Sequence, residues 1–325
     1  MPKARAVWEE LPINFKRDMV DQLDFKSRCR LKICSKSDQE IVRSRPIHLR
    51  MLTICPPNEI RLCGFTYRCS GIDQLIGIII AIFENPKSFV ETIDFDFDRR
   101  NEPENVQFFL ETFVGRLKLY LENNPKKKFK SEIFYYEEYY NRYLEGRFLD
   151  VLTFFDTKFL KSIKLSSNLS YEFVDQICAT EQWKNSREIR AFGCYDFEFP
   201  MDDFLHFNRI NTQYVRSLNA DQCWKIIESF ISRNAPDDSA FLFITELPLP
   251  VEEILTKFDV PAKNEPTEAE IPPREYVHTQ RFELANQDYI LCVKFSTTGM
   301  YGAVCRKRYV EADFRWAVFR CRMDY

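Results

Sequence analysis

Four short strand-like runs recur in the second half of the chain at nearly equal steps. They centre on Ile163 (Ser162-Ile-Lys-Leu165), Ile189 (Glu188-Ile-Arg-Ala191), Val215 (Tyr214-Val-Arg-Ser-Leu218) and Phe243 (Phe241-Leu-Phe-Ile244), 26, 26 and 28 residues apart. Helix-like segments fill the gaps: Tyr171 to Gln182, Asp202 to Phe207 and Asp221 to Ser232. A strand followed by a crossover helix cannot hide its own apolar face, so successive units must stack. Strands joined through helices run parallel. The alternative is a non-repeating α/β layer fold in which the spacing is coincidental.

That period lies within the roughly 20–29 residues of leucine-rich-repeat solenoids. The Leu-x-x-Leu-x-Leu signature itself is poor, so the expectation is a similar architecture only. Earlier strands near Ile93 and Ile133 extend the same sheet. In Thr92-Ile-Asp-Phe-Asp-Phe-Asp98 strict alternation sends Ile93, Phe95 and Phe97 inward and the three aspartates outward. Continuous apolar stripes predict helices over Ile72 to Phe83 and Asn105 to Leu121. Residues 261–273 are proline-rich and acidic and read as an exposed linker. Beyond it, Tyr276 to Phe282, Tyr289 to Phe295 and Tyr301 to Lys307 read as three antiparallel strands that cap the sheet. With 30 Phe, 15 Tyr and only 8 Gly, the chain has much to bury.

The first fifty residues are organised differently. Phe15, Met19, Val20 and Leu23 share one helical face, with Asn14 as its expected N-cap. A second short helix is predicted from about Ser27 to Cys34. A third starts at the capping box Ser37-Asp-Gln-Glu40 and ends before Pro46. About forty residues in three helices bury little surface by themselves. Such a module is completed by a partner, or packs as an ordinary N-terminal subdomain on the body of the chain.

The stretch from Trp8 to Pro46 resembles an F-box. The match lies in Leu11-Pro12, Phe15, Met19, Leu23, Leu31 and Cys34, and in the form Trp-x-x-Leu-Pro, Leu-Asp-Phe-Lys-Ser-Arg28, Cys34-Ser-Lys-Ser, Val42-x-Ser-x-Pro46. It is similar to the nematode F-box A family. Arg28 stands where many F-boxes carry leucine, as in the nematode form, and Met19 replaces the usual isoleucine. Residues from Gly146 to Tyr309 are similar to the FTH domain that follows the F-box in that family. They carry Phe148-Leu-Asp-Val-Leu152, Lys158-Phe-Leu-Lys-Ser-Ile163, Glu181-Gln-Trp-Lys-Asn185, Phe204-Leu-His-Phe207, Arg281-Phe282 and Ala303-Val-Cys-Arg306. The expected organisation is an F-box at 4–50, an α/β intervening region at 51–145, the FTH domain at 146–310 and a tail at 311–325. In fold class this is α+β: a small three-helix module, then strand–helix repeats on a parallel sheet with an antiparallel cap.

Several chemistries find no support. Asp94-x-Asp-x-Asp98 begins like a calcium loop, but Arg99 and Asn105 stand where glycine and a bidentate glutamate are needed. The three histidines, His48, His206 and His278, have no metal-ligand neighbours at suitable spacing, and no glycine-rich phosphate loop occurs. No catalytic residue, cofactor or metal is expected. The net charge of −3 argues against direct nucleic-acid binding, and the longest apolar run, Leu75 to Phe83, is about half a membrane span of ~20 residues. Eleven cysteines without a CxxC, several of them, such as Cys63, Cys178, Cys223 and Cys292, among apolar neighbours, read as free thiols in a reducing compartment. The expected location is cytoplasmic or nuclear.

The resemblance implies a substrate-recognition adaptor of an SCF-type ubiquitin ligase. The F-box would dock a Skp-family linker, and through it a cullin scaffold, using Leu11, Pro12, Phe15, Met19, Val20, Leu23 and Leu31. The FTH domain would hold an unidentified target protein. Lys164, Arg190 and Arg216, matched in repeat phase, are candidates to meet an acidic target. Tyr136 and Tyr140 join them from Phe134-Tyr-Tyr-Glu-Glu-Tyr-Tyr-Asn-Arg-Tyr143, read as a helix with its tyrosines on one side. A non-degradative interaction scaffold, or an RNA regulator acting through a bound partner, are the other readings left open.

Overall fold

A computed structural model describes residues 8–97, 103–138, 145–166, 171–195, 200–258 and 276–308. The chain divides into two compact units, the first formed by residues 1–135 and 150–160, the second by 136–149 and 161–325.

The first unit opens with a 3-10 turn, Trp8–Glu10, and three helices: α1 (Ile13–Gln22), α2 (Phe25–Lys32) and α3 (Lys36–Ser44). Their starts differ from expectation. Pro12, not Asn14, precedes α1 and gives no side-chain cap. Asp24 caps α2 by accepting from the Ser27 N–H at 2.7 Å. Ser35 caps α3, accepting from the Asp38 N–H at 3.1 Å, so the cap sits two residues earlier than predicted and without the reciprocal bond of a capping box. After α3 come β1 (His48–Cys55), β2 (Glu59–Leu62), β3 (Phe65–Arg68), α4 (Ile72–Phe83), β4 (Phe89–Phe97) and α5 (Pro103–Asn123), then β5 (Ser131–Glu138) and α6 (Glu145–Thr153), each of which is divided between the two units.

β1 pairs parallel with β4 and antiparallel with β2, which pairs antiparallel with β3; β5 adjoins β4. The β2–β3 turn is Cys63-Gly64, with φ of 49° and 87°. Both residues being left-handed is what a two-residue hairpin turn demands, and glycine meets that demand without strain. This turn also corrects the expectation for Cys63, which is exposed.

The core of this unit gathers on Phe95. Its ring lies 5.9 Å from Phe113 of α5 and 5.9 Å from Phe134 of β5. α5 buries Val106, Phe109, Leu110, Phe113, Val114, Leu117 and Leu121, the stripe its sequence announces. The other face of β4 is less wet than alternation suggested. Asp94 is buried, and Asp96 pairs with Arg61 of β2 at 3.3 Å; Asp98 lies outside the described residues.

The second unit carries β6 (Ser162–Ser166), α7 (Tyr171–Cys178), α8 (Glu181–Asn185), β7 (Glu188–Tyr195), a 3-10 turn Met201–Phe204, β8 (Arg209–Val215), α9 (Ala220–Ser232), β9 (Ala240–Thr245), α10 (Val251–Thr256), β10 (Tyr276–Glu283), β11 (Tyr289–Ser296) and β12 (Gly299–Arg306). β6, β7, β8 and β9 are parallel neighbours in that order. Ile163, Ile189, Ile210 and Phe241 form one fully buried row across them. Phe230 of α9 packs on Phe241 at 5.0 Å, so α9 covers this face.

The equal period does not survive. Along the ladder the steps are 26, 21 and 31 residues, because Ile210 and not Val215 is in phase with Ile189. The crossovers are correspondingly unequal: two short helices, one 3-10 turn and the thirteen-residue α9. The antiparallel cap is as read. β12 pairs with both β9 and β11, and β11 with β10. Gly302 of β12 lies beneath the Phe241 ring, where a Cβ would come within 2.1 Å of the ring edge. Glycine is required here by that close approach.

Candidate protein-docking surface

The helical module has a very small apolar core. Val20 of α1 is fully buried against Ile41 and Val42 of α3, with Leu31 of α2 packed beside them. Val20 is therefore withdrawn from the predicted partner contacts: it is enclosed by its own module.

Polar groups complete the inside. Asp38, buried, accepts the Trp8 indole N–H at 2.7 Å and the Ser35 hydroxyl at 2.8 Å, fastening the N-terminal turn to the start of α3. Lys16, also buried, donates to the Glu9 carbonyl at 3.0 Å while its ammonium lies over the Trp8 ring. Arg28 is 8% exposed. Its Nε donates to the Leu23 carbonyl at 3.2 Å, one Nη to Pro46 at 2.9 Å and the other to Asp21 at 3.3 Å. One guanidinium thereby ties the end of α1 to α2 and to the segment after α3. Burial lowers the Arg28 pKa, and the neighbouring Asp21 carboxylate offsets part of that. Asp21 also accepts from Arg45 through both carboxylate oxygens, which holds its own pKa below the ordinary carboxylate value.

With these groups turned inward, apolar side chains are left outside. Ile13 is 47% exposed, Phe15 49%, Met19 40% and Ile33 84%. Phe15 and Met19, four residues apart, are neighbours on one side of α1. Pro12 is exposed, and Leu11 and Leu23 are half-buried at the two ends of that helix. Of the predicted contacts, Leu11, Pro12, Phe15, Met19 and Leu23 thus share α1 and its flanks, while Leu31 leans into the core. Ile13 and Ile33 were not foreseen. Ile13 lies off the counted stripe, and Ile33 caps the end of a helix in which every second residue from Lys26 to Lys32 is basic. Beside the module, a cleft of about 530 Å³ opens onto the β2–β3 hairpin, lined by Phe25, Arg28, Arg45, His48, Phe65 and Tyr67.

In the second unit, Lys164 of β6 pairs in register with Arg190 of β7, and Arg190 with Asn211 of β8. Adjacent residues of a strand point to opposite faces, so this row lies on the face away from Ile163 and α9. Both cations are half-buried, and Arg190 is bonded to Glu188 at 2.7 Å. Arg216 is not part of the row; β8 ends at Val215, and Asn211 holds the phase assigned to it. Tyr136 is corrected too. It lies on β5, not a helix, and is 2% exposed with its ring edge-on to Phe148 at 5.1 Å. Tyr140 lies outside the described residues.

Residues 124–245 match the FTH domain. The match contains β5 to β9, and the parallel ladder with its crossovers falls within it. It starts and ends earlier than the stretch 146–310 drawn from sequence, and the helical module lies outside it. The FTH domain is a family associated with F-boxes and points to a protein-interaction role. No curated protein is similar enough to be matched to the chain. Among the described residues no group of histidine, cysteine and carboxylate side chains is placed to hold a metal, and no helix is long and apolar enough to cross a membrane.

Proposed function

We propose that the chain is a substrate-recognition adaptor of an SCF-type ubiquitin ligase. The three-helix module docks a Skp-family linker, which connects it to a cullin scaffold, and the FTH domain holds the target. The single observation carrying this reading is the outward stripe Phe15–Met19 on a module whose own core is three side chains wide. Each such side chain removed from water contributes about 1.5–3 kcal/mol. Pro12, Phe15 and Met19, with the half-buried Leu11 and Leu23, make a surface on which a partner helix gains most. The family match supplies the second support, since FTH domains accompany F-boxes.

On this reading the chain performs no bond chemistry. It raises the effective concentration of target lysines near a ubiquitin-loaded enzyme. We assign target contact to the strand face bearing Lys164, Arg190 and Asn211.

The test is co-purification. Leu11→Ala with Met19→Ala should abolish recovery of the linker while the thermal unfolding of the second unit stays unchanged. Full linker binding by that double variant would refute the docking assignment. If the linker binds yet no protein accumulates on depletion of the chain, the non-degradative scaffold reading takes its place.

A further inference from the structure

Helix α5 leaves a second apolar stripe uncovered, outside both the helical module and the FTH match. Phe108 is 67% exposed and Leu119 62%. Between them, on the same side, lie Thr112 and Gly115, so the spacing is four, three and four. The opposite side of α5 is the one packed on Phe95. At Gly115 an added Cβ would meet nothing within 4 Å, so the middle of the stripe is open.

The order of these residues reads the same from either end: large, small, small, large. A helix with that pattern is complementary to itself when reversed. We propose that α5 is the surface by which two copies of this chain associate, antiparallel about a two-fold axis between Thr112 and Gly115. In such an isologous contact residue i meets j and j meets i. Phe108 then packs on Leu119 of the second copy, and Thr112 faces Gly115 of the second copy. The small central pair lets the helix axes approach closely, since interaxial distance follows the side chains at the crossing.

Charge agrees with this register. Glu111 and Lys118 are exposed on one flank of the stripe; within one copy Lys118 lies 3.9 Å from Asp150 and Glu111 accepts from Gln107 at 3.2 Å, weak surface contacts that a pair between copies can replace. Two-fold antiparallel packing brings like flanks together, so Glu111 meets Lys118 of the second copy, twice per dimer. On the other flank Arg116 is already paired with Asp73 of α4. This proposal does not rest on the ligase reading.

Sedimentation equilibrium of the full chain, over about 1 to 200 µM, decides it. A reversible monomer–dimer equilibrium is expected. Phe108→Ser and Gly115→Glu should each raise the dissociation constant about tenfold or more. Both positions are open to solvent, and circular dichroism should show an unchanged fold. Glu111→Lys should weaken association several-fold, and adding Lys118→Glu should restore it. A wild-type chain that stays monomeric, or a dimer indifferent to Phe108→Ser and Gly115→Glu, overturns the proposal. Failure of the charge exchange to restore association overturns the antiparallel register. A monomer whose Phe108→Ser variant loses affinity for purified linker gives the stripe to the linker, and the self-association is then wrong.

Discussion

Arg28 offers the sharpest test of how the helical module is held together. A leucine at this position would fill the space without donating. Here the guanidinium donates to the carbonyls of Leu23, Pro46 and Asp21 at 3.2, 2.9 and 3.3 Å. Consider Arg28→Met, which keeps most of the aliphatic stem and removes every donor. A hydrogen bond from a charged group is worth about 1.5–3 kcal/mol, and orphaning a buried acceptor costs about 1–3 kcal/mol. Three carbonyls set an upper limit near the sum of those values. Asp21 is exposed and Leu23 and Pro46 are half-buried, so water can compensate part of the loss at all three. A net loss of about 2–4 kcal/mol remains.

That loss is large against the core it supports. Val20, Ile41 and Val42 contribute about 1.5–3 kcal/mol each on burial. Amide hydrogen exchange read by mass spectrometry over residues 13–44 is the suitable assay, because the module opens locally before the rest. A loss of about 2–4 kcal/mol accelerates exchange roughly 30- to 700-fold, at one decade per 1.4 kcal/mol. Arg28→Lys, which keeps the charge and one reach to a carbonyl, should fall between. Wild-type protection in Arg28→Met would mean that the aliphatic stem alone does the holding, and the carbonyl network argued above would be irrelevant.

Other consequences follow from single contacts. Gly302→Ala drives a methyl into the Phe241 ring; overpacking of this kind costs about 1–3 kcal/mol, so the second unit should melt several degrees lower, with Phe241→Leu in the same chain recovering part of it. Burial pushes the Cys55 and Cys223 thiols each up to about 12, so at pH 8 a disulfide reagent should modify exposed Cys34 and Cys63 first; equal rates at Cys223 and Cys34 would contradict the placement. Arg45 holds the Asp21 carboxyl below its ordinary value. A depressed folded-state value adds stability that is complete above the unfolded value near 4 and fades as the pH falls through the folded one. Asp21→Asn should therefore weaken the module at pH 7, by less than about 1 kcal/mol for so exposed a pair, and leave it unchanged at about pH 2; an equal loss at both pH values would exclude this pair as the cause.

Period told more in the helices than in the strands. α4, α5 and α9 are long enough for a 3.6-residue stripe to be counted, and each lies within two residues of its predicted bounds. β6, β7 and β9 stand where their apolar runs place them. β8 was displaced because Tyr214-Val-Arg looks like a strand centre. Tyr214 takes a φ of 67° at the register shift near Val215, so the run marks the strand's irregular end. The tyrosine run failed for a related reason. Phe134 and Tyr136 fit a period of two as well as a helix, and the five residues of the run that lie in β5 decide nothing alone. The β2–β3 hairpin was missed altogether. β3 has no buried residue, so it offers no alternation to read.

The docking surface was half legible for a physical reason. Sequence reading assigns apolar residues to interiors or interfaces by their spacing, which found Phe15 and Met19. It has no comparable signal for a charged residue that turns inward. Lys16, Arg28 and Asp38 do so here, each bonding to backbone or to a neighbouring cap. Buried charges are tolerated when their hydrogen bonds are satisfied. By taking interior places they fix the three helices without drawing on the apolar side chains. Val20, Ile41 and Val42 form the apolar core with Leu31 beside them, Glu84 and Asn85 hold α2 and α3 from outside the module, and Ile13, Phe15, Met19 and Ile33 are left exposed. It follows that stability and docking are separable in this module. Substitutions at Lys16, Arg28 or Asp38 should change protection from exchange, whereas substitutions at Phe15 or Met19 should change partner affinity and little else. A Phe15→Ala variant that lost protection as strongly as Arg28→Met would show that the exposed ring belongs to the core after all.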